Sequence, residues 1–138
     1  MVEMLPDFLA PEIKSKAEAD LFYDFRNYQT NERYIILHSL GLSEHVNHIF
    51  GEIDFVVICS LGILCIEVKG GEVRRERGIW EFVNRYGKIT QKSEGPFQQV
   101  QGNMQSLRIY LQKRLGKRDP LVSCQYASCV IMPDCDYS

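Results

Sequence analysis

Three residues able to do chemistry stand inside the most apolar part of the chain, in the stretch GEIDFVVICSLGILCIEVKGG from Gly51 to Gly71. Asp54, Glu67 and Lys69 interrupt runs that are otherwise apolar on both faces, where an ionised group is costly to bury. Side chains alternate across a strand, so Glu67 and Lys69 point to one face with Ile63 and Cys65, while Leu64, Ile66 and Val68 point to the other. Whether Asp54 joins the first set depends on the hairpin register. A two-residue Leu61-Gly62 turn that pairs Ser60 with Ile63 sets Asp54 across from Lys69 and diagonal to Glu67; an odd-numbered connection splits the set.

Two carboxylates held close repel each other, and a divalent cation relieves that repulsion. Hard oxygen ligands from Asp54 and Glu67, completed by water and the Val68 carbonyl, suit magnesium or manganese better than zinc, which favours His and Cys. Lys69, one strand step away, can stabilise charge developing on a phosphate or help deprotonate a water. That is the chemistry of phosphodiester hydrolysis. On spacing alone a second reading stands beside it: Lys69 and either acid form a structural ion pair at a strand end, where Gly70-Gly71 admits solvent.

The elements that must position these groups are legible around them. Ala10-Pro11 opens a helix running to about Asn27, with Ile13, Ala17, Leu21, Phe25 and Tyr28 at core-facing spacing and Glu18 at the edge of that stripe. ERYIILHSL reads as a strand, GLSEHVNHIFG as a loop, and Ile53 to Cys59 with Ile63 to Lys69 as a hairpin. GIWEFVNRYGKITQK predicts a second, more polar hairpin turning at Asn84 to Gly87. Gly95-Pro96 starts a second helix whose stripe is Phe97, Val100, Met104, Leu107, Leu111 and Leu115, ended by Gly116 and Pro120. QYASCVIMP is a final strand. The order of helix, strands, helix and strand predicts an α/β fold with a mixed sheet flanked by helices.

Bulk properties narrow the classes. At 138 residues the chain is one domain, 1–138, with a stop just past the last strand that suggests a piece of a longer protein. A net charge of -2 with 45% hydrophobic and 25% charged residues is that of a globular protein, so any nucleic-acid contact must come from local patches. The acidic, Pro-interrupted N-terminus is no signal peptide, and the Phe55–Ile66 run is too short to span a bilayer, so a cytoplasmic location and no membrane partner are expected. Five cysteines, two of them in the most apolar strands, argue for buried thiols over a disulfide framework, and Cys124, Cys129 and Cys135 lack the tight spacing of a metal site.

The order Asp54, then Glu67-Val68-Lys69 on the next strand after an apolar hairpin, resembles the D…E-x-K signature of the PD-(D/E)XK nuclease superfamily. More narrowly, the chain resembles the nuclease-related domain (NERD) family through Glu18, Ile53-Asp54, Gly62 to Lys69, Trp80, Pro96 to Gln99, and VIMPD at Val130 to Asp134. The match covers nearly the whole length, and motif order weighs more than any single piece. Ala17 precedes Glu18 where that family commonly has Gly.

The resemblance implies a restriction-endonuclease-like core and a magnesium- or manganese-dependent deoxyribonuclease acting in DNA processing or repair. Asp54 and Glu67, with the Val68 carbonyl, bind the metal; Lys69 acts at the phosphate or water; Gln99 orients the catalytic groups from the first turn of its helix; Glu18 is an accessory acid. That helix start is also a plausible anion site. DNA is the implied partner, with a linked or associated DNA-processing domain such as a helicase, and homodimerisation is left open. The blander alternatives make Gln99 a solvated first-turn residue and Glu18 a surface charge.

Further candidates are weaker. His45 and His48 of EHVNH could reach a phosphate or a metal, though two histidines in a polar loop are more often only a loop. Arg74, Arg75 and Arg77 follow the E-x-K strand and could clamp a DNA backbone. Lys113, Arg114, Lys117 and Arg118 sit where a helix dipole favours cations and read as structural. A competing function is a binding or interaction module that keeps the fold and cleaves nothing.

Overall fold

In the computed structural model, described for residues 1–9, 15–40, 53–84 and 86–135, the two apolar runs lie at the centre of a sheet. They become β3 (Ile53–Cys59) and β4 (Gly62–Val68), whose β-branched side chains suit a strand covered on both faces. The sheet is completed by β1 (Val2–Leu5), β2 (Tyr34–Leu40) and β8 (Tyr126–Ile131), in the order β1-β2-β3-β4-β8. β1 is parallel to β2 and β8 to β4, whereas β2, β3 and β4 run antiparallel. A second sheet of β5 (Glu72–Glu76), β6 (Ile79–Val83) and β7 (Ile89–Lys92) is antiparallel throughout.

Helix α1 (Lys16–Arg26) begins at Ser15, whose hydroxyl accepts the Glu18 amide, and ends at Asn27. It covers one face of the five-stranded sheet: Ala17 and Phe22 pack with Ile36, Phe55, Val57, Ile66 and Val68. Helix α2 (Pro96–Leu115) covers the other, where Val100 and Leu107 pack with Val56, Ile63 and Cys65. Ile53, at the first position of β3, joins this second cluster. A single turn, α3 (Pro120–Ser123), capped by Asp119, leads into β8. Among the described residues no helix is long and apolar enough to cross a membrane.

Several expectations need correction. The first described helix ends before Tyr28, which is exposed, and its most buried residue is Phe22 instead. Ala10 to Lys14, with Ile13, and the Gly41–Gly51 loop, with His45 and His48, lie outside the described residues. In α2 the stripe is Val100, Asn103 and Leu107, with Met104 and Leu111 partly buried; Phe97 and Leu115, at its two ends, are exposed. The hairpin turn is Ser60-Leu61, so Cys59 rather than Ser60 closes the ladder, against Gly62. Gly62 is drawn into β4 by β8: the Ile63 amide donates to the Gln125 carbonyl at 2.9 Å, and a Cβ on Gly62 would lie 2.2 Å from that oxygen. Its φ of 132° further restricts the position to glycine.

Candidate active site

The observed register pairs Phe55 with Ile66, Val56 with Cys65 and Val57 with Leu64. Continued by one pair, it sets Asp54 opposite Glu67 rather than opposite Lys69, and directly opposed residues share a face. At this point the ladder ends in a side chain. The Val68 amide donates to Asp54 Oδ2 at 2.8 Å, so the carboxylate takes the place of the next strand carbonyl. That bond fixes the orientation of Asp54, which is half-buried, at the open end of β3 and β4.

Glu67 is only 5% exposed. A buried carboxylate needs a compensating charge, and Lys69 Nζ lies 3.1 Å from Glu67 Oε1. The two-residue spacing within one strand brings them to the same side. The ammonium is held from a second direction by Phe82 of β6, whose ring centroid lies 5.2 Å from Nζ. Lys69 remains partly open to solvent, so its charge is accessible from outside while its partner is not.

The segment beyond Lys69 is also tied down. The Lys69 amide donates to the Ile131 carbonyl at 2.9 Å, continuing the pairing with β8. The Gly71 amide donates to Asp134 Oδ2 at 2.7 Å, which accounts structurally for the Asp of VIMPD. β6 is seated against α2 by Trp80. A Cβ on Gly95, the residue capping α2, would lie 2.5 Å from the indole, and Phe97 lies 6.1 Å from it.

Gln99 occupies the first turn of α2, four residues before buried Asn103 and therefore on the same side of the helix. That side covers the sheet face carrying Val56 and Cys65, which Asp54 and Glu67 share by alternation. Glu18 belongs to the α1 layer on the opposite face. Its Oε1 lies 3.3 Å from Nε2 of His38, a fully enclosed imidazole stacked on Phe55 at 4.9 Å. Burial pushes the His38 imidazole below its ordinary range.

Of the arginines, Arg74 is committed to Glu72 at 2.7 Å and to Glu81 at 3.9 Å. Arg75 lies over the Trp80 ring at 5.4 Å, and Arg77 sits exposed at the β5–β6 turn with a φ of 52°. His38, Phe82 and Asn103 were not singled out by sequence. His38 alternates in step with Ile36 and Asn103 interrupts the α2 stripe, so both were detectable as polar residues at buried positions. Phe82 carries no such signal, because its contact with Lys69 depends on how the small sheet packs.

A divalent ion is implied by the D…E-x-K pattern, and the donor set fits one. Two carboxylates from adjacent strands, one fixed by the Val68 amide and the other beside Lys69, offer hard oxygens. Among the described residues no group of three or more His, Cys, Asp or Glu is gathered. All five cysteines are free thiols.

A family model described as "Nuclease-related domain" (NERD) matches residues 13–132. Neither the curated proteins nor the solved structures yield a significant match.

Proposed function

This chain belongs to the nuclease-related domain family, and from that premise we propose that it is a divalent-metal-dependent nuclease hydrolysing phosphodiester bonds in DNA. The mixed sheet with helices on both faces is consistent with a restriction-endonuclease-like fold. The observation that carries the proposal is the meeting of Asp54, Glu67 and Lys69 at one end of β3 and β4, within the matched region.

In this reading Asp54 and Glu67 hold magnesium or manganese, with the Val68 carbonyl as a third oxygen. Bound there, the ion supplies Lewis-acid polarisation of a phosphate oxygen and a water of lowered pKa. Lys69 contributes positive charge where the phosphate oxygens gain negative charge. The Glu67 carboxylate and the Phe82 ring keep that ammonium in place before substrate arrives, so little reorganisation is needed. Gln99 orients groups from the α2 side, and Glu18, beside His38 on the α1 face, is the accessory acid. DNA is the partner, and the linked or associated domain is one that processes DNA.

The test is incubation of the purified chain with end-labelled linear and circular DNA in millimolar manganese, beside Lys69→Ala. Cleavage by the wild type, reduced about 10²–10³-fold in Lys69→Ala, is expected from the loss of a charge stabiliser. Equal cleavage by both proteins would remove Lys69 from the mechanism. The Glu67–Lys69 ion pair itself favours a second reading, in which the pair is structural and the domain binds without cutting. Under that reading Glu67→Gln lowers folding stability, and the wild type cuts neither DNA.

A further inference from the structure

The small sheet separates its charges by face. Its register sets Arg74 against Glu81, Val73 against Phe82, Arg75 against Trp80, and Trp80 in turn against Lys92. Opposed residues share a face and neighbours along a strand alternate. One face therefore carries Glu72, Arg74, Glu76 and Glu81, and there Arg74 is bound by Glu72 and Glu81. The other carries Trp80, Phe82, Arg75 and Lys92, with no acid among its described strand residues.

The second face is the one turned to the candidate site, because Phe82 overlies Lys69 and Trp80 seats on Gly95. Arg75 and Lys92 are exposed, and among the described residues neither forms an ion pair. Stacking over Trp80 restrains the Arg75 guanidinium without occupying the N–H edges it would present to phosphate. A sheet that neutralises its arginine on one side and leaves two cations uncompensated on the other is complementary, on that side, to a polyanion.

We propose that the Arg75–Lys92 face of this sheet binds the sugar–phosphate backbone of the nucleic-acid strand leading to Lys69; the identity of the strand rests on the nuclease reading above. The contact is to phosphates, so it fixes the strand's path without selecting its sequence. Arg74, on the far face and already paired, takes no part.

The test is fluorescence anisotropy of short labelled oligonucleotides, single-stranded and duplex, titrated with the full chain in EDTA over a range of salt. Arg75→Ala combined with Lys92→Ala is expected to weaken binding about tenfold or more. It should also reduce the magnitude of the salt slope by about 1.4 for single strands or about 1.8 for duplex, the share of two phosphate contacts. Arg74→Ala should match the wild type in both. If the alanine pair melts below the wild type, Arg75→Gln with Lys92→Gln keeps the aliphatic stems and carries the same expectation. Unchanged affinity and slope in the double variant, or a wild type that binds neither oligonucleotide, overturns the proposal. Because no strand is cut in EDTA, weakened binding by the double variant supports this surface even if the wild type proves unable to cleave DNA, an outcome that sinks only the nuclease reading.

Discussion

Asp54 performs two tasks that one pair of substitutions can separate. Its Oδ2 accepts the amide of buried Val68 at 2.8 Å, and its charge faces Glu67 across the strand pair. Asp54→Ala removes both, leaving a backbone N–H without its acceptor, a loss of about 1–3 kcal/mol. For 138 residues the unfolding entropy near the midpoint is about 0.3 kcal/mol per kelvin, so the melting temperature should fall by about 3–10 °C. Asp54→Asn keeps a side-chain oxygen for the Val68 amide and removes only the charge, so it should melt within about 3 °C of the wild type, a change of less than about 1 kcal/mol. Scanning calorimetry in EDTA measures both differences without interference from bound cations, and cleavage in manganese measures the catalytic half. Both variants should be inactive. An Asp54→Ala protein as stable as the wild type would show that the bond to Val68 contributes nothing, and an active Asp54→Asn would show that the carboxylate charge is dispensable.

Other consequences can be read from the same structure. Burial holds His38 below its ordinary value of 6.5, so the unfolded chain takes up the proton first as pH falls. Stability should therefore decrease as pH drops through 6.5 toward the folded-state value, and urea titrations of His38→Gln should show a flatter pH profile. Phe22, with no exposed surface and on the sheet-facing side of α1, should cost about 3–5 kcal/mol when replaced by alanine, read as a lower urea midpoint. The Cys65 thiol is enclosed and pushed up to about 12 by burial. A thiol titration of the native chain at neutral pH should leave it unmodified, and denaturant should release it.

The apolar composition of β3 and β4 made the central hairpin legible, because only a strand covered on both faces reads that way. Its register was harder to read. The competition was between Gly62 as a turn residue and Gly62 as a close-contact residue, and the approach of Gln125, distant in sequence, decided it. β1 was missed because its signal is only Val2 and Met4 facing inward, too short to register before the parallel partner β2 is known. β5, with the sequence EVRRE, has no apolar alternation and is a strand only because β6 pairs with it. At the site, same-strand spacing was enough to join Glu67 to Lys69. Phe82 over Lys69, Arg75 over Trp80 and Glu18 beside His38 depend on packing between layers, which linear spacing does not encode.

In the proposed site the carboxylates of Asp54 and Glu67 jointly hold a divalent cation. Titration of the metal-free chain with manganese, followed by the paramagnetic resonance signal of the free ion, measures this without reference to any substrate. Saturable loss of that signal is expected with the wild type, and little loss with either Asp54→Asn or Glu67→Gln. Saturation by all three proteins alike, or by none, would contradict it.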